Sequence, residues 1–459
     1  MDRSLIKSLR LLWICPLLAA WPSFSSASDS LLDPTFGSAG IAEVTVGQQF
    51  NRAGRIAVQN DGKVVQVGVS RDGFTNTPEE IALVRFTADG ILDTSFGTNG
   101  IARLNVGGGI QHLGSAVAIQ ADGKILAAGG TFIGSNYDIA MLRYDTAGVL
   151  DPEFGNAGVI IIDLGGSQSL RDIAFQSDGK IIAVGETIVG GNNRFLVMRL
   201  TTAGVLDTSF GTNGAVIESF SVNTVQFARS VALLNDDSII VAGTGITPAG
   251  VGTISMLKLT ANGALDTSFN SSGKLAVTYD ANSAAASVAV DSAGRFLVGG
   301  YSSPTGSSND DNFLVLRVNP NGSLDGTFGD QGIVRTVFAA PYTLGTIIST
   351  LILQDDGRIL VAGNGRNPDQ GFQEDLLIAR YLEDGTLDPS LDGADGKLAF
   401  TRESTTRVTS VATQSVAGAD KILVGAALAT PSAQPDKFAV LRFMAPRIIF
   451  RDRFEGTSG

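Results

Sequence analysis

The sequence predicts an all-β protein, a seven-bladed β-propeller of four-stranded antiparallel blades. Three observations lead there. A phrase such as LDTSFGTNG at residues 92–100 is written seven times, the apolar segments between its copies are too short for helices, and the chain starts and stops in the middle of a unit. The aspartates of the phrase, Asp33, Asp93, Asp151, Asp207, Asp266, Asp325 and Asp388, stand 60, 58, 56, 59, 59 and 63 residues apart. Periods of this size belong to propellers, solenoids or arrays.

The second unit shows the elements in order. Ala116–Gln120 and Lys124–Ala128 read as two strands joined by Ala121-Asp122-Gly123, a three-residue hairpin loop whose last position is left-handed and suits glycine. Gly179 and Gly357 hold the same place in other units. The fourth unit has Asp236-Asp237-Ser238 instead, and aspartate tolerates the left-handed conformation well enough to keep the turn. A third strand follows at Ile139–Tyr144, then a loop ending in Gly148, then a fourth strand over about Val149–Ile162. The seventh unit diverges most, with Leu391 in place of the phenylalanine. An open β-solenoid is the alternative architecture, but it needs polar capping repeats and neither end supplies one.

One spacing argues for ring closure. Arg85, Arg143, Arg199, Lys258, Arg317 and Arg380 each precede the Leu-Asp aspartate by eight residues, which sets opposite charges face to face across strands three and four. As exposed pairs they would contribute ~0.2–1 kcal/mol each, so holding register is their expected use. Arg442 has no aspartate after it and Asp33 no basic residue before it. In a closed ring they become partners, with about Leu32–Val46 supplying the outer strand of the last blade.

The string Q-x-DGK-I-x-x-x-G … R-Y-x-x-x-G-x-LD-x-x-FG-x-x-G, complete from Gln120 to Gly158, resembles the delta-60 repeat family of secreted bacterial proteins over nearly the whole chain after its leader. The cadence is also similar, more loosely, to NHL-type β-propellers. The resemblance implies a propeller and export, and no established chemistry.

Residues 1–27 read as a secretory signal. Arg3, Lys7 and Arg10 precede an apolar run from Leu11 to Trp21, and Ser25-Ser26-Ala27 offers a cleavage site. The run is too short to span a bilayer. The domain division is therefore 1–27 signal, 28–445 propeller and 446–459 tail; the tail, PRIIFRDRFEGTSG, resembles the IFRDGFE endings of some secreted bacterial proteins, with Arg453 at the glycine. Periplasmic or extracellular location follows, the cell surface included. Cys15 is the only cysteine, so cleavage leaves none for disulfides or a thiol nucleophile. The net charge of −12, with no basic run, argues against nucleic acid and anionic membrane.

Residues repeated in every blade read as architecture, and single occurrences as candidates for function. Asp93, Ser95 and Asn99 echo a calcium loop but lack the further acidic ligands, so this segment reads as a turn with Phe96 packed between blades. Loops after strands two and four differ in every unit and share one face of the disc, where binding residues are expected. That face carries the acidic pairs Glu79-Glu80, Asp310-Asp311 and Glu374-Asp375, the aromatics Phe74, Tyr137, Tyr342 and Phe372, and His112, the only histidine. The acidic pairs and the histidine read most simply as solvated loop residues, and the aromatics as possible anchors for a partner. The expected function is an exported, non-enzymatic binding or scaffold protein, a monomer with a protein or carbohydrate partner and no cofactor. The alternative is a propeller hydrolase or lyase using loop carboxylates, with calcium as its possible cofactor.

Overall fold

The computed structural model describes residues 31–74, 77–220, 225–342, 344–371, 373–402, 404–416, 418–429 and 435–444. The expected signal segment, the tail and Phe372 lie outside them. The described strands form seven antiparallel sheets of four, six of them running from the channel outward in chain order. Blade one is Phe50–Val58, Val64–Arg71, Glu80–Phe86 and Ile101–Leu104. The inner strands of blades two to seven are His112–Ile119, Gln168–Phe175, Val225–Leu233, Asn282–Val290, Leu344–Leu353 and Thr406–Val416.

Closure occurs in the seventh blade. Its outer strand is Ile41–Val44, paired with Lys437–Phe443 in the register Ile41↔Leu441 and Ala42↔Val440. The pairing extends to Leu32↔Phe443, and the Asp33 amide donates to the Arg442 carbonyl at 2.8 Å. The open solenoid is thereby overturned. The core is a set of apolar layers between neighbouring blades. Val67 and Leu83 of blade one pack with Val117 and Leu142 of blade two, and Leu423 and Val440 of blade seven pack with Val64 and Val84 of blade one. Strands two and three therefore bury both faces, which explains their nearly continuous apolar runs.

The turns follow the sequence. Gly123, Gly179 and Gly357 have φ of 85°, 81° and 83°, and Asp237 takes the same role at 61°. The fourth strand does not. Where a continuous strand over about Val149–Ile162 is expected, the chain makes an isolated bridge at Leu150↔Tyr144, then a loop, and resumes pairing only at Val159–Ile162. The loop exists to bury its phenylalanine: Phe96 and Phe154 are fully enclosed in the layers between blades.

This loop also changes what the charge pairs do. Arg85–Asp93, Arg143–Asp151, Arg199–Asp207, Lys258–Asp266, Arg317–Asp325, Arg380–Asp388 and Arg442–Asp33 all form, at 2.7–3.1 Å. The basic residues are buried rather than exposed, and so are the aspartates except Asp207 and Asp266, which are half-buried; where an arginine meets a repeat phenylalanine its guanidinium lies over the enclosed ring, 4.6 Å from Phe96 for Arg85 and 4.6 Å from Phe36 for Arg442. The same guanidinium reaches the next blade. Arg85 donates to the Thr146 carbonyl, Arg199 to Ala261 at 2.7 Å and Arg442 to Ala88 of blade one at 2.8 Å. The pairs of Arg85, Arg143, Arg199, Arg317 and Arg442 are thus latches between blades as well as register pins. The DGK lysine joins them, with Lys124 2.9 Å from Asp151.

All seven aspartates are held below the ordinary carboxylate range. At Asp93, burial opposes ionisation, but hydrogen bonds from the Ser95 hydroxyl and amide and the charges of Arg85 and Lys63 outweigh it and bring the value to about 2. Asp325 also falls to about 2, with Thr327 and Arg317 in those roles. A group depressed on folding stabilises the fold above its unfolded pKa of roughly 3.9 and loses that contribution as pH falls through the folded value. Urea midpoints are therefore expected to hold down to about pH 5 and to drop steeply between about pH 4 and 2. A protein equally stable at pH 2 and pH 6 would show that the latches contribute little.

Candidate functional site

The site arises from an irregularity repeated in every inner strand. Pairing with the second strand slips between Ala53 and Ile56, Gly114 and Ala116, Leu170 and Asp172, Ala228 and Ser230, Ala285 and Ser287, Ile348 and Thr350, and Val408 and Ser410. The extra residues are Gly54-Arg55, Ser115, Arg171, Arg229, Ala286, Ser349 and Thr409, and all of them line one cavity on the axis. A β-bulge re-aims a side chain; repeated around a ring, it turns one position per blade toward the channel.

A glycine on the second strand makes room for the bulge. A Cβ on Gly129, Gly185, Gly243, Gly300 or Gly363 would stand 1.6–1.9 Å from a carbonyl oxygen of the inner strand. The glycine marks a close backbone approach within the second strand.

The cavity measures about 590 Å³. Its lining from the inner strands lies at or before the bulge, and Thr244, Ile246 and Tyr301 come from the last residues of second strands. It therefore occupies the half of the channel on the variable-loop side. Four arginines face it in a chain whose net charge is −12. Three are clamped. Arg52 donates to the His112 carbonyl at 2.9 Å; Arg55 crosses the channel to Asp172 at 3.0 Å and to the Arg229 carbonyl at 3.2 Å; Arg171 grips Glu186 at 2.6 Å. The Arg229 guanidinium differs. Among the described residues it has neither an ion pair nor a hydrogen-bond acceptor, and it lies 5.1 Å from the Phe227 ring centre. Burial pushes its pKa down and Arg171 adds to this, while Glu186 and Tyr301 oppose it. An arginine stays protonated in proteins, so the cavity holds a half-buried cation with no direct ion pair among the described residues, and Glu186 acts on it from a distance. Burial raises the Tyr301 phenol, and Asp311 adds to that, so Tyr301 faces the cavity as a neutral hydroxyl.

Of the loop residues singled out in the sequence, none among the described ones lines this cavity. Each acidic pair runs into a third strand, where alternate residues point to opposite faces, and so each pair splits. Glu79 is buried and accepts from the His112 amide at 3.1 Å, while Glu80 pairs outward with Arg103 at 2.6 Å. Asp375 is enclosed and accepts from Tyr342 at 2.9 Å and Asn367 at 2.8 Å, while Glu374 meets Arg407 at 3.2 Å. Asp310 caps its own loop through Ser303 and the Thr305 amide. Asp311 is 9% exposed, its Oδ1 has no partner, and burial followed by repulsion from Asp310 raises it to about 6. The reading of these residues as solvated loop tips is corrected for Glu79, Asp311 and Asp375.

His112 is corrected too. It opens the inner strand of blade two at 0% exposure, and burial lowers its pKa to about 4. Tyr137 is half-buried against Phe132, with its hydroxyl on Gln111 at 2.9 Å, and Tyr342 is buried. Phe74 is the exposed aromatic of the group, at 78%. No three His, Cys, Asp or Glu among the described residues lie together as a metal cluster, and no helix among them is long and apolar enough to cross a membrane.

Fold and cavity together define a repeat β-propeller with a charged axial chamber. Six stretches, residues 59–96, 120–154, 176–210, 234–269, 294–328 and 354–391, match the family described as a domain of unknown function (DUF5122) β-propeller. These stretches are similar to the repeats of that family. No curated protein matches it. Among solved structures, an ulvan lyase of a new polysaccharide lyase family is 11% identical, with 87% of this chain and 96% of that one covered at a TM-score of 0.50. The periplasmic gluconolactonase of Pseudomonas aeruginosa is 14% identical, with coverage of 83% and 96% and a TM-score of 0.46. A protein of unknown function from Dyadobacter fermentans is 11% identical, with coverage of 88% and 99% and a TM-score of 0.45. At these identities the likeness concerns the fold. The bulge residues all fall outside the matched stretches, whereas Thr244, Ile246 and Tyr301 of the chamber lie within them.

Proposed function

We propose that this is an exported, non-enzymatic binding protein that acts as a monomer, whose ligand enters from the variable-loop side and sets an anionic group against Arg229 in the axial chamber. The observation that carries the reading is a half-buried guanidinium that faces the chamber with no direct ion pair or hydrogen bond among the described residues, since a cation withdrawn from water gains from an anionic partner. The chamber volume falls within the range of small-molecule sites, and the aromatic and hydroxyl lining suits a compact organic anion, acidic carbohydrates included. The signal-like leader and the resemblance to delta-60 proteins support export.

The hydrolase or lyase alternative, with its possible calcium, has less behind it. Asp172 and Glu186, the carboxylates paired with the chamber's arginines, are both engaged, whereas glycoside hydrolysis needs one carboxyl free to give a proton and a second free to act as base or nucleophile.

The test is a titration of the purified protein with charged and neutral small molecules, repeated on Arg229→Gln. Ligands that bind are expected to be anions, and affinity is expected to fall by about 10–100-fold in the variant, the worth of a charge-assisted hydrogen bond. Melting should be nearly unchanged, because Arg229 holds no partner. Anions that bind equally well to the variant would refute the proposal.

A further inference from the structure

Resting on that reading, we infer that the group Arg229 receives is singly charged, a carboxylate, a sulfate ester or a sulfonate, and that the chamber discriminates against a doubly charged phosphate ester. The argument is a charge count around one point. Arg171, the nearest other cation by its effect on Arg229, is neutralised by Glu186 through contacts of 2.6 and 3.2 Å. Arg55 is neutralised by Asp172 at 3.0 Å. Arg52 stands on blade one, across the channel from blade four, is exposed, and is tied to the His112 carbonyl. One positive charge is therefore left at the Arg229 end.

The neighbouring blade adds a penalty for any second negative charge. In blade five Tyr301 pairs with Phe313 and Ser302 with Asn312, so Asp311 lies two positions along the same face of the sheet as Tyr301. Its carboxyl is buried, and Oδ1 has no partner. The charged groups that act on it are Asp310 beside it and Arg366 from the second strand of blade six, and Arg366 is shared with Asn309 at 3.4 Å. A monoanion on Arg229 can take a hydrogen bond from the neutral Tyr301 hydroxyl. A dianion would bring a charge that no group at this end answers, and Asp311 would repel it once ionised.

The experiment holds the frame constant and varies the charge. Benzoate, benzenesulfonate and phenyl phosphate are titrated calorimetrically at pH 7.5 and pH 5 against the whole protein and Arg229→Gln. A phosphate monoester has its second pKa near 6, so phenyl phosphate is doubly charged at the first pH and singly charged at the second. The phenyl phosphate to benzenesulfonate affinity ratio is read at each pH, so that pH effects common to both ligands cancel. The expected result is Arg229-dependent binding of the two monoanions, with phenyl phosphate at least about tenfold weaker at pH 7.5 and close to benzenesulfonate at pH 5. Phenyl phosphate binding as tightly as the monoanions at pH 7.5, still through Arg229, would overturn the charge selection and leave the anion chamber standing. No Arg229-dependent binding by any of the three would overturn both.

Discussion

Replacing Arg442 by methionine is expected to lower the stability of the protein by about 3–5 kcal/mol, the usual consequence of removing one partner from a buried ion pair. Arg442 is 1% exposed and makes three kinds of contact: Asp33 at 3.1 Å, the Ala88 carbonyl of blade one at 2.8 Å, and the Phe36 ring at 4.6 Å. In the other blades the equivalent pair spans a hairpin that the chain itself closes. Here the two strands belong to opposite ends of the chain, so nothing covalent holds the seam. The variant should therefore lose more than Arg85→Met, where the hairpin remains, and the double variant Asp33→Asn with Arg442→Met should recover part of the loss because no carboxylate is then left buried. Lys421, 3.3 Å from Asp33, places the single variant toward the lower figure. Urea unfolding of the four proteins measures this. An Arg442→Met variant within about 0.5 kcal/mol of the parent, the range of an exposed pair such as Arg407–Glu374, would mean that the seam does not depend on its latch.

The seam could be read from spacing because it obeys the rule of the repeat. Seven copies of Leu-Asp fix where the basic residue belongs, and the unmatched pair, Asp33 and Arg442, then identifies itself. What the latch is worth could not be read the same way. Whether an Arg–Asp pair is exposed depends on the ring beneath it, and Phe96 comes under Arg85 only because the outer strand breaks off at Leu92 to make a loop. The chamber was hidden for the opposite reason. Ser115, Arg171, Arg229, Ala286 and Ser349 each stand eight residues before the third residue of the first hairpin turn, at Gly123, Gly179, Asp237, Gly294 and Gly357. The position repeats and the residue does not, so a search for repeated residue types passes over it. A bulge is a matter of register and leaves its mark on the partner strand, where the glycine recurs. Attention to the loops led instead to His112 and Asp375, whose strands carry them inward. Aligning the seven units and asking which fixed position varies in charge would have singled out Arg171 and Arg229.

The recurring glycine supplies the second large effect. Gly243→Ala is expected to destabilise the protein by about 3 kcal/mol, near the upper end for overpacking. The added methyl would lie 1.9 Å from the Phe227 carbonyl oxygen, and that oxygen belongs to backbone that cannot swing away as a side chain would. Relief requires the inner strand of blade four to move off the second strand just before its bulge. Because the bulge aims Arg229, the same shift should remove Arg229-dependent anion binding. Gly363→Ala is the control. Its methyl would meet the Ile347 carbonyl oxygen at the same 1.9 Å, so the stability loss should be similar, but the bulge it disturbs carries Ser349 on another blade. Melting curves and anion titrations on both variants separate the two consequences. Equal loss of binding in both would show that binding follows overall stability rather than the local placement of Arg229. A Gly243→Ala protein that melts like the parent would show that the glycine is not what holds the bulge open.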